Sequence, residues 1–186
     1  MKRSAGQLRI IGGEYRSRLV EFDSSAGVRP TPDRVRQTLF DWLSPMIEGA
    51  RCLDLFAGSG ALGLEALSRG AAQVTFVESG ASQAALIRAA LTKLGAEARA
   101  VVKNTDALSF LSASRFDVVF LDPPFDSSLM GTALARLPPL LKPDNRVYLE
   151  YRQGGNLALP AGYTLLREKK AGQVSYALAS FNGNIP

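Results

Sequence analysis

The chain alternates between short apolar runs and longer segments in which apolar residues recur every three or four positions. The short runs are typical of strands, and the longer segments predict helices. Strands are predicted at residues 52–56, 74–77, 98–102, 116–121 and 147–151. Helices are predicted at residues 61–69, 82–94, 107–111 and 129–136. Because the strands are apolar on both faces, we expect an α/β fold with a mostly parallel sheet and helices on both faces.

The C-terminal part of the chain departs from this alternation. Two extended runs, at residues 163–169 and 174–181, flank a turn at 171–172 and predict an antiparallel hairpin. The hairpin brings the predicted sheet to seven strands. We expect residues 45–186 to form this single α/β domain.

A smaller unit is predicted ahead of the sheet. Residues 7–22 predict two short strands that turn at the Gly-Gly pair 12–13. Thr31 then provides an N-cap in front of a proline, and the apolar spacing that follows predicts a helix at residues 32–43. We interpret residues 1–44 as a small extension, a hairpin plus a helix, packed on the core.

Composition limits the chemistry that the chain can perform. Its 186 residues are 46% hydrophobic and 21% charged, with one cysteine and no histidine. Histidine-based catalysis, histidine metal sites and an internal disulfide are therefore excluded. No apolar run approaches the length of a membrane span. We expect a monomeric cytoplasmic protein with no membrane partner, whose chemistry uses carboxylates, hydroxyls, amides or a reactive cofactor.

The net charge of +5 is concentrated near the start of the chain. Residues 1–36 hold eight Lys and Arg against four Asp and Glu, a surplus of +4. A basic arm of this kind predicts a polyanionic partner. A solvated charged surface with no partner is the simpler alternative, and it stays open here.

Carboxylates stand at the predicted carboxyl ends of four strands or in the turns that follow them. That edge is where open α/β sheets bind their ligands. The four residues are Asp54, Glu78, Asp106 and Asp122. Each alone fits a cap or a turn as well as a ligand contact, but their recurrence favours a binding site.

Residues 53–63 read L-D-L-F-A-G-S-G-A-L-G and contain the G-x-G-x-x-G pattern of dinucleotide-binding turns. Glu78 follows at a distance that suits the ribose hydroxyls of NAD or of another adenosine ligand. Asp54, at the start of the turn, would repel a pyrophosphate but suits an ammonium or sulfonium charge. The stretch therefore favours S-adenosylmethionine, with a nicotinamide dinucleotide as the alternative.

Residues 120–125 read F-L-D-P-P-F. Asp122 ends a strand, and the two prolines after it have no amide hydrogens. The carboxylate and the nearby carbonyls then form a cluster of acceptors that suits an exocyclic amine. The ring of Phe125 offers a face on which a flipped-out base stacks. A proline-rich strand exit with a core phenylalanine is the bland alternative.

These stretches resemble a known group of enzymes. Residues 122–125 match the [D/N]-P-P-[Y/F] motif of methyltransferases that act on exocyclic amines of nucleobases, and D-L-F-A-G-S-G matches their cofactor motif. R-I-I-G-G, R-P-T-P-D-R-V-R-Q-T-L-F-D-W-L and A-G-Q-V-S-Y extend the resemblance over most of the chain. The chain resembles the bacterial 16S ribosomal RNA guanine-N2 methyltransferases of the RsmD type. This resemblance implies a Rossmann-like class I methyltransferase fold that acts on ribosomal RNA or the small ribosomal subunit.

The resemblance also implies roles for individual residues: Glu78 would bind the cofactor ribose and Asp106 the adenine amino group. The residues expected to bind S-adenosylmethionine and release S-adenosylhomocysteine are Asp54, Phe56, Ala57, Gly58, Ser59, Gly60, Glu78, Ser79, Asp106 and Ala107. Those expected to hold the target guanine are Asp122, Pro123, Pro124 and Phe125. Those expected to bind RNA are Arg9, Arg16, Arg18, Arg29, Thr31, Arg34 and Arg36.

The expected reaction is an in-line attack of the guanine N2 on the sulfonium methyl, for which no metal is needed. Three alternatives remain at this point. An adenine-N6 methyltransferase of DNA or RNA shares both motifs. A nicotinamide-dependent oxidoreductase fits the glycines but gives D-P-P-F no use. A non-enzymatic RNA-binding module explains the basic arm but leaves the strand-end carboxylates without a role.

Overall fold

The computed structural model describes residues 5–125 and 128–184. The strands in these ranges are β1 Ala5–Arg9, β2 Leu19–Asp23, β3 Arg51–Asp54, β4 Gln73–Val77, β5 Ala100–Lys103, β6 Phe116–Leu121, β7 Leu141–Arg152, β8 Tyr163–Ala171 and β9 Val174–Phe181. The α-helices are α1 Asp33–Leu43, α2 Ala61–Ser68, α3 Ala81–Leu94 and α4 Leu129–Arg136. None of the α-helices within these ranges is long and apolar enough to cross a bilayer.

Seven of the strands form one sheet in the order β5-β4-β3-β6-β7-β9-β8. The strands β3 to β7 are parallel, and β9 pairs antiparallel with both β7 and β8. The predicted mostly parallel seven-stranded sheet with a terminal antiparallel hairpin is therefore confirmed. Because β3 to β7 run in the same direction, their carboxyl ends share one edge of the sheet, where the loops meet.

Successive strand residues point to two separate hydrophobic layers, as the apolar runs predicted. In β3, Cys52 packs with residues of α1, α2 and α3, whereas Leu53 packs with Ala133 and Leu134 of α4. Phe120 of β6 joins the first layer in the same way. Helices therefore cover both faces of the sheet. Cys52 is buried in the strand, and burial raises the pKa of its thiol, so it is a core residue.

The predicted N-terminal hairpin is confirmed, but its connection is longer than the glycine pair alone. Arg9 pairs with Leu19, and a nine-residue loop, 10–18, separates β1 from β2. The loop is bound to α2: the amides of residues 11 and 12 donate to the carboxylate of Glu65, and the amide of Tyr15 donates to the Ser68 hydroxyl. These long-range contacts replace the local turn that the glycine pair favoured.

The strand β7 is much longer than the predicted strand at 147–151. Residues 142–146 of this strand are mostly polar, and Asn145 explains why they still join the sheet. The side chain of Asn145 accepts a hydrogen bond from the Phe181 amide and donates one to the Phe181 carbonyl. These two bonds take the place of the backbone hydrogen bonds between paired strands. The predicted short helix at 107–111 is a 3-10 turn at Ala107–Ser109.

Candidate active site

A cavity of about 890 Å³ opens at the carboxyl edge of the sheet. Its size lies within the range of roughly 300–1,000 Å³ that is typical of ligand sites. Strand ends provide its floor, and residues 27–32, between β2 and α1, form one wall. Most of the sequence-predicted site residues line it: Arg29, Thr31, Asp54, Phe56, Ala57, Gly58, Ser59, Glu78, Ser79, Asp106, Ala107, Asp122, Pro123, Pro124 and Phe125. Gly60 does not line it.

Three glycines in and after the turn that follows β3 have different structural roles. Gly60 precedes α2 with φ 79°, a left-handed conformation that other residues adopt only with strain. Gly58 has φ 52° and donates its amide to Glu78 at 2.7 Å. A Cβ at Gly63 would lie 2.2 Å from the ring of Phe76, so the third glycine allows helix α2 to pack on the sheet. Of the three, only Gly58 lines the cavity.

Asp54 lies at the end of β3 beneath this turn. Its side chain is buried, and one carboxylate oxygen accepts the amide of Gly63 at 3.0 Å. Burial raises the pKa of Asp54 to about 7; the Gly63 hydrogen bond acts against this shift, and the charge of Glu78 adds to it. A cation bound in the cavity would therefore meet a carboxyl group that gives up its proton near neutral pH.

The carboxylate of Glu78 is held by the backbone on both sides. One oxygen accepts the amide of Gly58 and the other accepts the amide of Gly80, each at 2.7 Å. Asn104, which the sequence analysis missed, donates to the carbonyls of Glu78 and Ser79 and fixes the end of β4 against β5. Carboxylate oxygens have further lone pairs, so Glu78 still has capacity to accept ribose hydroxyls.

Asp106 is exposed and caps the 3-10 turn that follows it. One oxygen accepts the amides of Leu108 and Ser109, at 2.9 and 3.2 Å. The residue therefore has the cap role that the sequence allowed, and it also lies on the cavity wall. The two roles are compatible because the second carboxylate oxygen accepts no hydrogen bond from the part of the chain that the structure describes.

The D-P-P-F stretch leaves β6 and crosses the mouth of the cavity. The Asp122 carboxylate accepts no hydrogen bond from residues 5–125 or 128–184, unlike Asp54, Glu78 and Asp106. Burial raises its pKa well above the ordinary value, and the charges of Glu150 and Asp54 add to the shift. Phe125 is 39% exposed and lines the same cavity as Asp122.

Glu150 is the acidic residue of the cavity that the sequence analysis missed. It lies in β7, is 6% exposed and lines the same cavity as Asp122. One of its oxygens accepts the hydroxyls of Thr31 and Tyr148, both at 3.1 Å. Burial raises the pKa of Glu150, and the two hydrogen bonds act against that shift. The sequence V-Y-L-E-Y could have indicated this residue, because it contains an acid within an apolar predicted strand.

Thr31 differs from its predicted roles. Its hydroxyl donates to Glu150 and does not cap α1, which begins after Pro32 without a side-chain cap. The residue is 4% exposed, so it belongs to the cavity wall and does not face an outer RNA-binding surface.

The prediction that Arg36 contacts RNA is wrong. Its side chain is 1% exposed, and its guanidinium donates to Asp33 at 2.6 Å and to Glu65 at 3.3 Å, as well as to two backbone carbonyls. A guanidinium enclosed in this way does not reach a phosphate. The other five candidate arginines, namely Arg9, Arg16, Arg18, Arg29 and Arg34, are exposed.

The order of the sheet, the glycine-rich turn and the carboxylates at one edge define a class I methyltransferase. A family model described as Conserved hypothetical protein 95 matches residues 8–180. Ribosomal RNA small subunit methyltransferase D of Escherichia coli (strain K12) is 46% identical over 181 residues, which cover 94% of this chain and 90% of that protein. The chain belongs to this family, that of the ribosomal RNA small subunit methyltransferases D, and is an enzyme of the methyltransferase class.

Solved structures agree with this assignment. The structure of yhhF from Escherichia coli matches with a TM-score of 0.85 and 42% identity over 95% of this chain and 98% of that chain. The 16S rRNA N2 methyltransferase RsmC of Thermus thermophilus, in complex with AdoMet and guanosine, matches with a TM-score of 0.68 over 97% of this chain and 51% of that chain. Its identity of 21% shows a shared fold alone. The family favours the methyltransferase hypothesis over the oxidoreductase and the non-enzymatic module.

Proposed function

We propose that this protein transfers a methyl group from S-adenosylmethionine to the exocyclic N2 amine of a guanine in 16S ribosomal RNA. One observation carries the proposal: the Asp122 carboxylate, which accepts no hydrogen bond from the described residues, lies beside an exposed Phe125 ring in the cavity that the glycine-rich turn also lines. An amine acceptor, a stacking face and a nucleoside-binding turn thus share one space. The family membership supports the ribosomal substrate.

The cavity fits S-adenosylmethionine in the chemistry of its lining. The turn at Gly58 allows close backbone approach, and the carboxyl group of Asp54 beneath it suits a positive charge. In this proposal Glu78 accepts hydrogen bonds from the ribose, and Asp106 accepts one from the adenine amine. When bound, the cofactor supplies an activated methyl group and its own leaving group, so the reaction as proposed uses no metal.

The residues of this chain contribute orientation and charge. Phe125 stacks against the flipped-out base, and Asp122 accepts a hydrogen from N2, which directs the nitrogen lone pair towards the methyl carbon. Once N2 has accepted the methyl group that the bound cofactor would supply, it carries one proton in excess. The methylated N2 then loses a proton to Asp122 or to water. Asp122 must be ionised to act in this way.

The exposed arginines of the extension would bind RNA phosphates. We propose that residues 1–44 bring the substrate to the domain formed by residues 45–186. Arg29 supports this role because it lies on the wall of the cavity itself. Phosphate contacts position the RNA without selecting the base, so base selection must come from within the cavity.

The test is to incubate the protein with labelled S-adenosylmethionine and, in parallel, with DNA, free ribosomal RNA and small ribosomal subunits. The proposal expects label on N2 of a guanine in 16S ribosomal RNA, in the free RNA or in the subunit. Label on adenine N6 would support the alternative nucleobase methyltransferase instead. Absence of label from all three substrates would contradict both.

A further inference from the structure

Among residues 5–125 and 128–184, Glu150 is the buried carboxylate of the cavity to which the proposed reaction assigns no role. The strand register places it beside Asp122: Leu121 pairs with Leu149 across β6 and β7, so the next residues along the two parallel strands are Asp122 and Glu150. Neighbouring strands lie about 4.8 Å apart. Two carboxylates therefore stand side by side at the carboxyl edge of the sheet, next to Pro123 and Phe125.

The orientation of Glu150 is fixed by two hydroxyl groups. Thr31 on the cavity wall and Tyr148 in the core both donate to Oε2. Burial and the charge of Glu150 raise the pKa of Tyr148, so its hydroxyl stays protonated and remains a donor. Oε1 accepts no hydrogen bond from residues 5–125 or 128–184. Since no fully buried polar side-chain atom in these ranges lacks a partner, Oε1 is not fully enclosed, and the residue itself lines the cavity.

We propose that Glu150 is a specificity-determining residue that accepts the N1–H of the target guanine while Asp122 accepts a hydrogen of N2. This inference rests on the proposed function. The Watson–Crick edge of guanine carries N1–H and N2–H as adjacent donors, whereas adenine carries an acceptor at N1. The two adjacent carboxylates in the pocket therefore complement the two donors of guanine. With adenine, the N1 acceptor would face the Glu150 carboxylate, which is also an acceptor. The pocket thereby selects guanine over adenine. The D-P-P-F motif alone does not distinguish these two bases.

The test compares two target bases, of which only guanine carries a hydrogen on N1. 2-Aminopurine has the same exocyclic amine as guanine but carries no hydrogen on N1. It also lacks the oxygen at position 6, so the variant Glu150→Leu is needed to isolate the N1 contact. We would prepare ribosomal RNA with guanine or 2-aminopurine at the methylated position, assemble it into small subunits where the particle is required, and measure kcat/KM. The wild type should prefer guanine by about 10- to 100-fold, because 2-aminopurine leaves the buried Glu150 oxygen unpaired.

The variant Glu150→Leu removes the acceptor and keeps the space filled. We expect its preference for guanine over 2-aminopurine to fall by at least about tenfold relative to the wild type, mainly through slower methylation of guanine. Any effect of the variant on the fold, on the cofactor or on the ionisation of Asp122 acts on both substrates and cancels in the ratio. Tyr148→Phe, which removes one of the orienting hydroxyls, should lower the same ratio to a smaller degree.

The outcomes separate this inference from the proposed function. If the wild type labels guanine and Glu150→Leu slows both bases by the same factor, Glu150 has only a structural role and the inference is overturned alone. If the wild type places no label on guanine at all, the proposed function fails and the inference fails with it.

Discussion

Asp122, directly after β6, stands next to Glu150 of β7, because Leu121 and Leu149 pair in the parallel register. The two carboxylates are not equivalent. Glu150 accepts two hydroxyl hydrogen bonds, which favour its charged form, whereas Asp122 accepts none from the described residues and is destabilised as an anion by burial and by Glu150. Repulsion between two close carboxylates pushes their protonation apart. We therefore expect the protonation state of Asp122 to control the rate of the proposed methyl transfer.

Replacing Asp122 with alanine should abolish methyl transfer without loss of cofactor binding. The variant removes the acceptor that orients N2, and we expect kcat to fall by about 10²- to 10³-fold. Calorimetry should give a dissociation constant for S-adenosylmethionine within about threefold of the wild type, because the carboxylates of the glycine-rich turn remain. Asp144→Ala is the matched control: Asp144 is an exposed residue of β7 whose ion pair with Arg146 lies on the surface. A variant at Asp122 that keeps most of its activity would refute the assignment.

The rate of methyl transfer should rise with pH. The raised pKa of Asp122 means that its inactive protonated form persists to higher pH than for an ordinary aspartate, so activity is lost as pH falls through that value. Removing the neighbouring charge in Glu150→Leu should lower this pKa and move the rise in activity to lower pH. Single-turnover rates across the pH range, measured on both proteins, test this shift. Superimposable profiles would mean that Glu150 does not act on Asp122.

The affinity for S-adenosylmethionine should rise as pH increases through about 7. Asp54 has a raised pKa of about 7, so it is half protonated there, and a bound cation favours its carboxylate form. Asp54→Asn should bind about 10- to 100-fold more weakly at pH 8 and should lose the dependence on pH. Calorimetry in two buffers of different ionisation enthalpy would also detect the proton released on binding.

Protein stability provides an independent check on Asp54. Its ordinary pKa is 3.8, so the folded state holds this proton more tightly than the unfolded chain does. The free energy of unfolding should therefore decrease as pH rises from about 4 to about 7 and then level off, with a loss on the order of 4 kcal/mol as an upper limit. Asp54→Asn should remove that part of the pH dependence in denaturant titrations. An unchanged pH dependence would mean that Asp54 ionises normally.

Much of the fold could be predicted from the sequence because buried parallel strands leave a clear apolar signal. Two of the features that escaped depend on side-chain contacts that the local sequence pattern does not show. The turn at the glycine pair gave way to a loop because Glu65 and Ser68, more than fifty positions away, bind its amides. Arg36 was assigned to RNA because a basic arm looks exposed, whereas its guanidinium is enclosed by Asp33 and Glu65.

The candidate site was predicted unevenly for the same reason. Acids directly after a strand or within the glycine-rich turn have a local signature, so Asp54, Glu78 and Asp122 could be selected by position. Glu150 has the same chemical character, but it lies within the predicted strand and not directly after it. Only the register between β6 and β7 shows that it reaches the cavity. The hydroxyl contacts of Thr31 could not be foreseen from a local cap motif.

Arg34 and Arg36 are neighbours on α1 and should respond to alanine in opposite ways. Arg34 is exposed, so Arg34→Ala should change the free energy of unfolding by less than about 0.5 kcal/mol. If it contacts a phosphate, the slope of log K against log salt for RNA binding should become shallower by about one. Arg36→Ala removes a buried guanidinium that pairs with Glu65, and we expect a loss of on the order of 3 kcal/mol.

Denaturant unfolding and RNA titrations at several salt concentrations, run on both variants, separate the two roles. The Arg36 variant should retain the wild-type salt slope under conditions in which it is folded, because its side chain releases no counterion. Arg69 serves as a second reference, since it also pairs with Glu65 but is partly exposed, and Arg69→Ala should cost less stability than Arg36→Ala. A shallower salt slope for Arg36→Ala would mean that Arg36 contacts RNA after all. An unchanged slope for Arg34→Ala would mean that Arg34 is a solvated surface charge with no RNA contact.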